Sequence, residues 1–147
     1  VERPDEVVAL HGSFIEAESQ LILTNSFGGA THRPKPHDAQ ERVHELNSAG
    51  AWIARRATDD GRDCTGREVV VAGSMGPTGE LFAPMGALDY DDAYAAFTAQ
   101  ATALVEGGVD MLWVETMSSL EEVKAFIDAA AATGLPVAAC MIFDTGA

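Results

Sequence analysis

Apolar residues gather in short unbroken runs, and three of these break into polar or glycine-rich tips: LILTNSFGGA at 21–30, VVVAGSMGPTG at 69–79 and MLWVETMSSLEE at 111–122. Runs without alternation predict strands buried on both faces, as in parallel sheets. The spacing places strands at Leu21–Thr24, Val69–Ala72, Met111–Val114 and Pro136–Phe143. Between them the apolar positions recur at helical spacing. Val7, Val8, Leu10, Phe14 and Ile15 predict a helix over 4–19, with Pro4 and Asp5 suited to its start. Val43, Leu46, Ala49, Ile53 and Ala57 predict a second from an N-cap at Asp38 to about Thr58. Two more are expected over 91–106 and 119–133, the last ending at Thr133-Gly134. Helix and strand alternate four times, which predicts an α/β fold with parallel strands whose C-terminal ends share one face, where such folds place their sites.

The connections add detail. GGATHRPKPH at 28–37 has two glycines and two prolines, which exclude regular structure. DDGRDCTGRE at 59–68 reads as a polar loop carrying Cys64. The segment 74–90 is long for a connection and holds Gly76, Pro77, Gly79, Pro84 and Gly86; loops of that length tend to be functional. Neither linker nor low-complexity segment interrupts the chain, and a four-stranded parallel sheet leaves two open edges.

Charge narrows the partners. With 9 basic against 23 acidic residues the formal charge is −14. That field repels phosphate backbones and anionic lipid, so neither nucleic acid nor a membrane surface is expected as a partner. No apolar run reaches the roughly 20 residues of a bilayer span. Two distant cysteines give no disulfide framework, and a reducing cytoplasm is the expected location.

The chemistry sits at the tips. Asn25 and Ser26 offer neutral donors and acceptors, followed by Phe27 and by Gly28-Gly29, where backbone can approach a ligand. This tip reads equally as an ordinary capped turn. GSMGPTG lacks the lysine and spacing of a phosphate loop. It reads as a rigid turn shaping a pocket floor with inward backbone amides at Gly76 to Gly79, or as a simple connection. Glu115 directly follows an apolar strand. A carboxylate there needs a cation, donors or a ligand ammonium, because burying it unpaired is costly. It reads as an anchor for a substrate amino group or a general acid/base; the plainer alternatives are a helix cap or an ion pair. Glu121 and Glu122 read as solvated first-turn residues favoured by the helix dipole. His32 and His37 lack partners for a metal site, His11 and His44 fall on helices, and Trp52 and Trp113 are expected in the core.

Taken in order, LILTNSFGG, HDAQERVHELN, VAGSMGPTGELFAPMGAL, AQATALVEGGVDMLWVETMSSLEEVKA and LPVAACMIFDT resemble the homocysteine S-methyltransferases, most of all bacterial betaine–homocysteine methyltransferase-like proteins. The resemblance spans nearly the whole chain. It implies a parallel (β/α)8 TIM barrel, of which the chain would hold strands two to five, with residues 1–147 as one partial homocysteine-binding barrel domain. It implies zinc bound through three cysteines, holding homocysteine as its thiolate for attack on a methyl group of betaine, methylmethionine or methyltetrahydrofolate. By the same resemblance Glu115 would hold the homocysteine amino group. Asn25, Ser26 and Phe27 would line the amino-acid pocket, and Gly76 and Thr78 would belong to the turn after the next strand.

Departures accompany it. The family's first strand would precede Val1 and its zinc cysteines would follow Ala147; neither Cys64 nor Cys140 matches them. Pro34 and Pro36 stand where larger apolar residues are expected, and Glu18-Ser19 replaces an Ala-Gly turn. Two other readings compete. One is a non-catalytic half-barrel that binds or assembles by pairing its open edges, as a homo-oligomer would. The other, a Schiff-base aldolase, is disfavoured because Lys35 and Lys124 lie on a loop and a helix rather than at a strand tip.

Overall fold

The computed structural model describes residues 2–30 and 42–143. Within them α1 (Pro4–Glu16), β1 (Leu21–Leu23), α2 (Val43–Thr65), β2 (Val70–Met75), α3 (Tyr90–Glu106), β3 (Met111–Met117), α4 (Leu120–Ala131) and β4 (Val137–Met141) follow one another. The strands form one parallel sheet in chain order, β1-β2-β3-β4, so β1 and β4 are its edges. This is the α/β fold with parallel strands expected from the alternation of helix and strand.

Register fixes which side chains share a face. Ile22 pairs with Val71, Gly73 with Leu112 and Met75 with Val114. Most of these positions join the buried core with Ile15, Ala54, Phe97, Leu104 and Phe126 from the helices. Phe97 and Phe126 meet edge to face at 5.8 Å, a favoured aromatic geometry. The alternate positions Leu23, Ala72 and Met111, and then Ser74, Trp113 and Ala138, share the opposite face. That face is only half covered: Trp113 and Glu115 are partly buried, and β4 is largely exposed. Burial on both faces therefore holds for most of β2 and fails on β3 and at the edges.

Several expected boundaries move. Helix α2 runs to Thr65 and ends at Gly66 with φ 70°, so Cys64 lies in a last helical turn rather than a loop. Arg62 in that turn matches the C-terminal dipole. Asp38, proposed as the cap of α2, lies outside the described residues, as do His32, Pro34, Lys35, Pro36 and His37. Trp52 is 55% exposed, with Arg56 stacked 5.9 Å from its ring centroid. It faces out because the buried stripe of α2 runs through Val43, Asn47, Ala51, Ala54 and Thr58. Leu10 and Phe14 on α1 are also exposed.

Two helices begin with side-chain caps. Asp89 accepts the Asp92 amide at the start of α3, and Ser119 the Glu122 amide at the start of α4. At the N-terminal end of the sheet Asp110 accepts the Val71 amide at 2.8 Å and pairs with Arg55 at 2.6 Å. These contacts tie the strand starts to α2 and leave the C-terminal ends for chemistry.

Candidate functional site

β2 and β3 are both longer than the apolar runs foretell. β2 continues through Gly73 and Ser74 to Met75, and β3 through Glu115 to Met117. Glu115 therefore projects from within a strand, on the face it shares with Ser74. The ladder with β4 is irregular between Val114 and Met117. Thr116 in that interval has φ 66°, a left-handed conformation that a β-branched residue rarely adopts. Such strain persists only where surrounding structure enforces it, and it clusters at functional positions.

Hydrogen bonds join three strand tips. Ser74 Oγ donates to Glu115 Oε1 at 2.8 Å. Ser26 Oγ donates to the Ser74 carbonyl at 2.7 Å, and the Ser74 amide donates to Thr24 Oγ1 at 2.9 Å. The hydroxyls of Thr24 and Ser26 lie 2.5 Å apart. Thr24, Ser26 and Ser74 are buried while Glu115 stays partly open. One carboxylate oxygen is thus held by a serine, and the group can still receive a cationic donor from the mouth of the sheet.

Phe27 is fixed from both ends. Its carbonyl accepts the Gly76 amide at 2.9 Å. A Cβ on Gly76 would fall 2.6 Å from the Phe27 ring, so only glycine fits there. The Thr78 amide and hydroxyl both donate to Glu122 Oε1, at 2.6 and 2.7 Å. The inward amides expected at Gly76 and Thr78 are therefore bonded within the protein. These residues lend the site shape, not donors. Glu122, expected to be solvated, is 4% exposed because its carboxylate turns away from its own helix start to Thr78. Glu121 is exposed as expected.

Asn25 turns toward α2, its Oδ1 3.2 Å from where a Cβ on Gly50 would sit. It is exposed, and with Arg3, Ser26, Gly29, Leu46 and Asn47 it lines a cavity of about 540 Å³ between the β1 tip, α1 and α2. Ser26 is common to that cavity and to the Glu115 network.

Asn47, Gln100 and Glu122 escape a reading by strand tips, whereas Thr24 stands at the first tip and Ser74 within GSMGPTG without a role of its own. Ser74 alone had a signal: continuing the β2 alternation past Ala72 places it on the Glu115 face. Among the described residues no three His, Cys, Asp or Glu side chains gather as a metal site. Cys64 and Cys140 are exposed on separate elements. These residues do not fit the expected zinc, and no step through a metal is assigned to them.

The family profile described as homocysteine S-methyltransferase matches residues 1–147, and the chain belongs to that family. It is 33% identical over 125 residues to a methionine synthase of Mycobacterium tuberculosis and 32% identical to that of Mycobacterium leprae. These alignments take in 85% of this chain and 10% of either relative. Crystal structures of the homocysteine methyltransferase MmuM from Escherichia coli, in oxidized and metallated forms, superpose with a TM-score of 0.82 at 22% identity. They cover 97% of this chain and 52% of that one, so the chain spans about half the length of the similar structures.

Proposed function

We propose that residues 1–147 form the homocysteine-binding part of a methyltransferase that makes methionine from homocysteine and a small methyl donor. Betaine, methylmethionine and methyltetrahydrofolate are the candidate donors, and zinc, held by residues other than those described, is the expected cofactor. The reading rests on family membership and on one observation: Glu115, a carboxylate within an apolar strand, is held by Ser74 with its remaining capacity toward the open face. In this role Glu115 accepts the ammonium of homocysteine. Ser26 and Phe27 line the amino-acid pocket, Gly76 and Thr78 fix its wall, and Asn25 faces the cavity that adjoins it through Ser26. Holding the amino acid by its ammonium group limits how its sulfur can meet the methyl carbon, which is where positioning lowers the barrier. Neither membrane nor nucleic acid enters the proposal; none of the described helices is long and apolar enough to cross a membrane.

Calorimetry of homocysteine with Glu115→Gln tests the anchor. A hydrogen bond to a charged group contributes about 1.5–3 kcal/mol, so affinity is expected to fall at least about tenfold. Unchanged affinity removes the role.

The exposed apolar residues near the two edges, Leu10, Phe14, Val137, Ile142 and Phe143, favour a second reading as an assembly module that pairs edge to edge. Light scattering separates the two. A concentration-independent monomer contradicts the assembly reading.

A further inference from the structure

Gln100 stands in the middle of α3, and no part of it is exposed. Its Nε2 donates to the Ser26 carbonyl at 2.8 Å and to Asn47 Oδ1 at 3.0 Å. The orientation of both carboxamides follows from the surroundings. Asn47 Nδ2 donates to the Gly29 carbonyl at 2.9 Å and to the Val43 carbonyl at 2.7 Å, so its oxygen must face Gln100. Reversing Gln100 would set its oxygen against two other acceptors. Gly29 belongs to the same arrangement, since a Cβ there would collide with both carboxamides.

Gln100 Oε1, however, is buried with no hydrogen-bond partner. A buried acceptor without a donor is unfavourable, although an apolar side chain in its place would in turn leave the buried Asn47 Oδ1 without its donor. Its two donated bonds both end at the β1 tip or at the residue that holds it. From there the contacts continue: Ser26 Oγ bonds the Ser74 carbonyl, and Ser74 Oγ bonds Glu115.

We propose that Gln100 is a positioning residue, which through Ser26 and Ser74 sets where Glu115 points. Its consequence for ligand affinity rests on the reading of Glu115 as the ammonium anchor; its consequence for the strand tips does not.

Two variants of the labelled chain test this by amide NMR and by calorimetry with homocysteine. Gln100→Leu fills the space without donors, and Gln100→Met replaces it if melting shows that the leucine variant is unfolded. The amide signals of Ser26, Ser74 and Glu115 are expected to move, and affinity to fall about tenfold relative to wild type at any pH. Gln100→Glu supplies one donor while protonated. Once ionised, it presents negative charge to the Ser26 and Asn47 oxygens. Its affinity is expected within about threefold of wild type at pH 6 and at least tenfold weaker at pH 9, each against wild type at that pH.

A residue that merely fills space leaves the Ser74 and Glu115 signals of the leucine variant unmoved, and Gln100→Glu is compared at pH 9 only where melting shows it folded, because an ionised buried carboxylate is destabilising in itself. Unmoved Ser74 and Glu115 signals in the leucine variant, or a pH-independent ratio for Gln100→Glu in the presence of an effective anchor, overturn the proposal. Glu115→Gln measured alongside reports on the anchor itself. If that substitution leaves affinity unchanged, the anchor reading fails and the amide signals alone decide the role of Gln100.

Discussion

Thr78 and Glu122 are joined by two hydrogen bonds to a single oxygen, the Thr78 amide at 2.6 Å and its hydroxyl at 2.7 Å. This contact fastens the loop after β2 to the first turn of α4. Removing the carboxylate with Glu122→Ala leaves two buried donors unpaired. Stability is expected to fall by about 1.5–3 kcal/mol. Glu122→Gln keeps an acceptor oxygen in place and should lose less than half of that. Urea midpoints at constant slope measure both, and equal losses would contradict the contact as described.

Glu18 and Thr116 both hold left-handed backbone, at φ 71° and 66°, where a side chain costs about 1 kcal/mol relative to glycine. Their settings differ. Glu18 turns the chain between α1 and β1, and its ion pair with Arg67 at 3.7 Å is exposed and worth little. Glu18→Gly should therefore stabilise the chain by roughly 1 kcal/mol and leave homocysteine affinity unchanged. Thr116→Gly should relieve similar strain yet weaken binding several-fold, because the freed backbone no longer holds Glu115. Melting curves and calorimetry on the two variants check the contrast. Equal effects on binding would remove the link between strain and site.

The contrast between these residues and the strands shows what the sequence carried. Unbroken apolar runs and helical spacing placed all four strands and four helices, because burial on the helix side dominates those positions. Strand ends were misplaced at β2 and β3, since Gly73, Ser74, Glu115 and Thr116 extend the ladder although none of them is apolar. Glu115, Ser26 and Phe27 were readable as tip residues. Gln100 and Asn47 were not, because a polar residue on a helix is ordinarily solvated, and only packing against the Ser26–Gly29 turn makes these two buried. Glu122 was misread for the same reason: its partner Thr78 is remote in sequence.

His11 gives a pH prediction. It is 7% exposed on α1, its Nε2 has no partner, and burial pushes the imidazole below the usual histidine range. In the unfolded chain it takes up a proton near pH 6.5, whereas the folded chain resists it. The unfolded state then binds more protons, so stability rises with pH across that window. The contribution is complete above about pH 6.5 and is lost as pH falls below it. His11→Leu should flatten this part of the profile in melts from pH 7.5 to 5. A variant as steep as wild type would show that His11 is not the cause.

The central claim is that the Glu115 carboxylate, set by Ser74, recognises an ammonium group. Its most direct measurement compares L-homocysteine with 4-sulfanylbutanoate, which has the same thiol and carboxylate but no amine, on wild-type chain and on Glu115→Gln. The wild type should prefer homocysteine by at least about tenfold, the equivalent of 1.4 kcal/mol, and Glu115→Gln should bind the two alike. Equal binding by the wild type, or a preference that survives in Glu115→Gln, would contradict it.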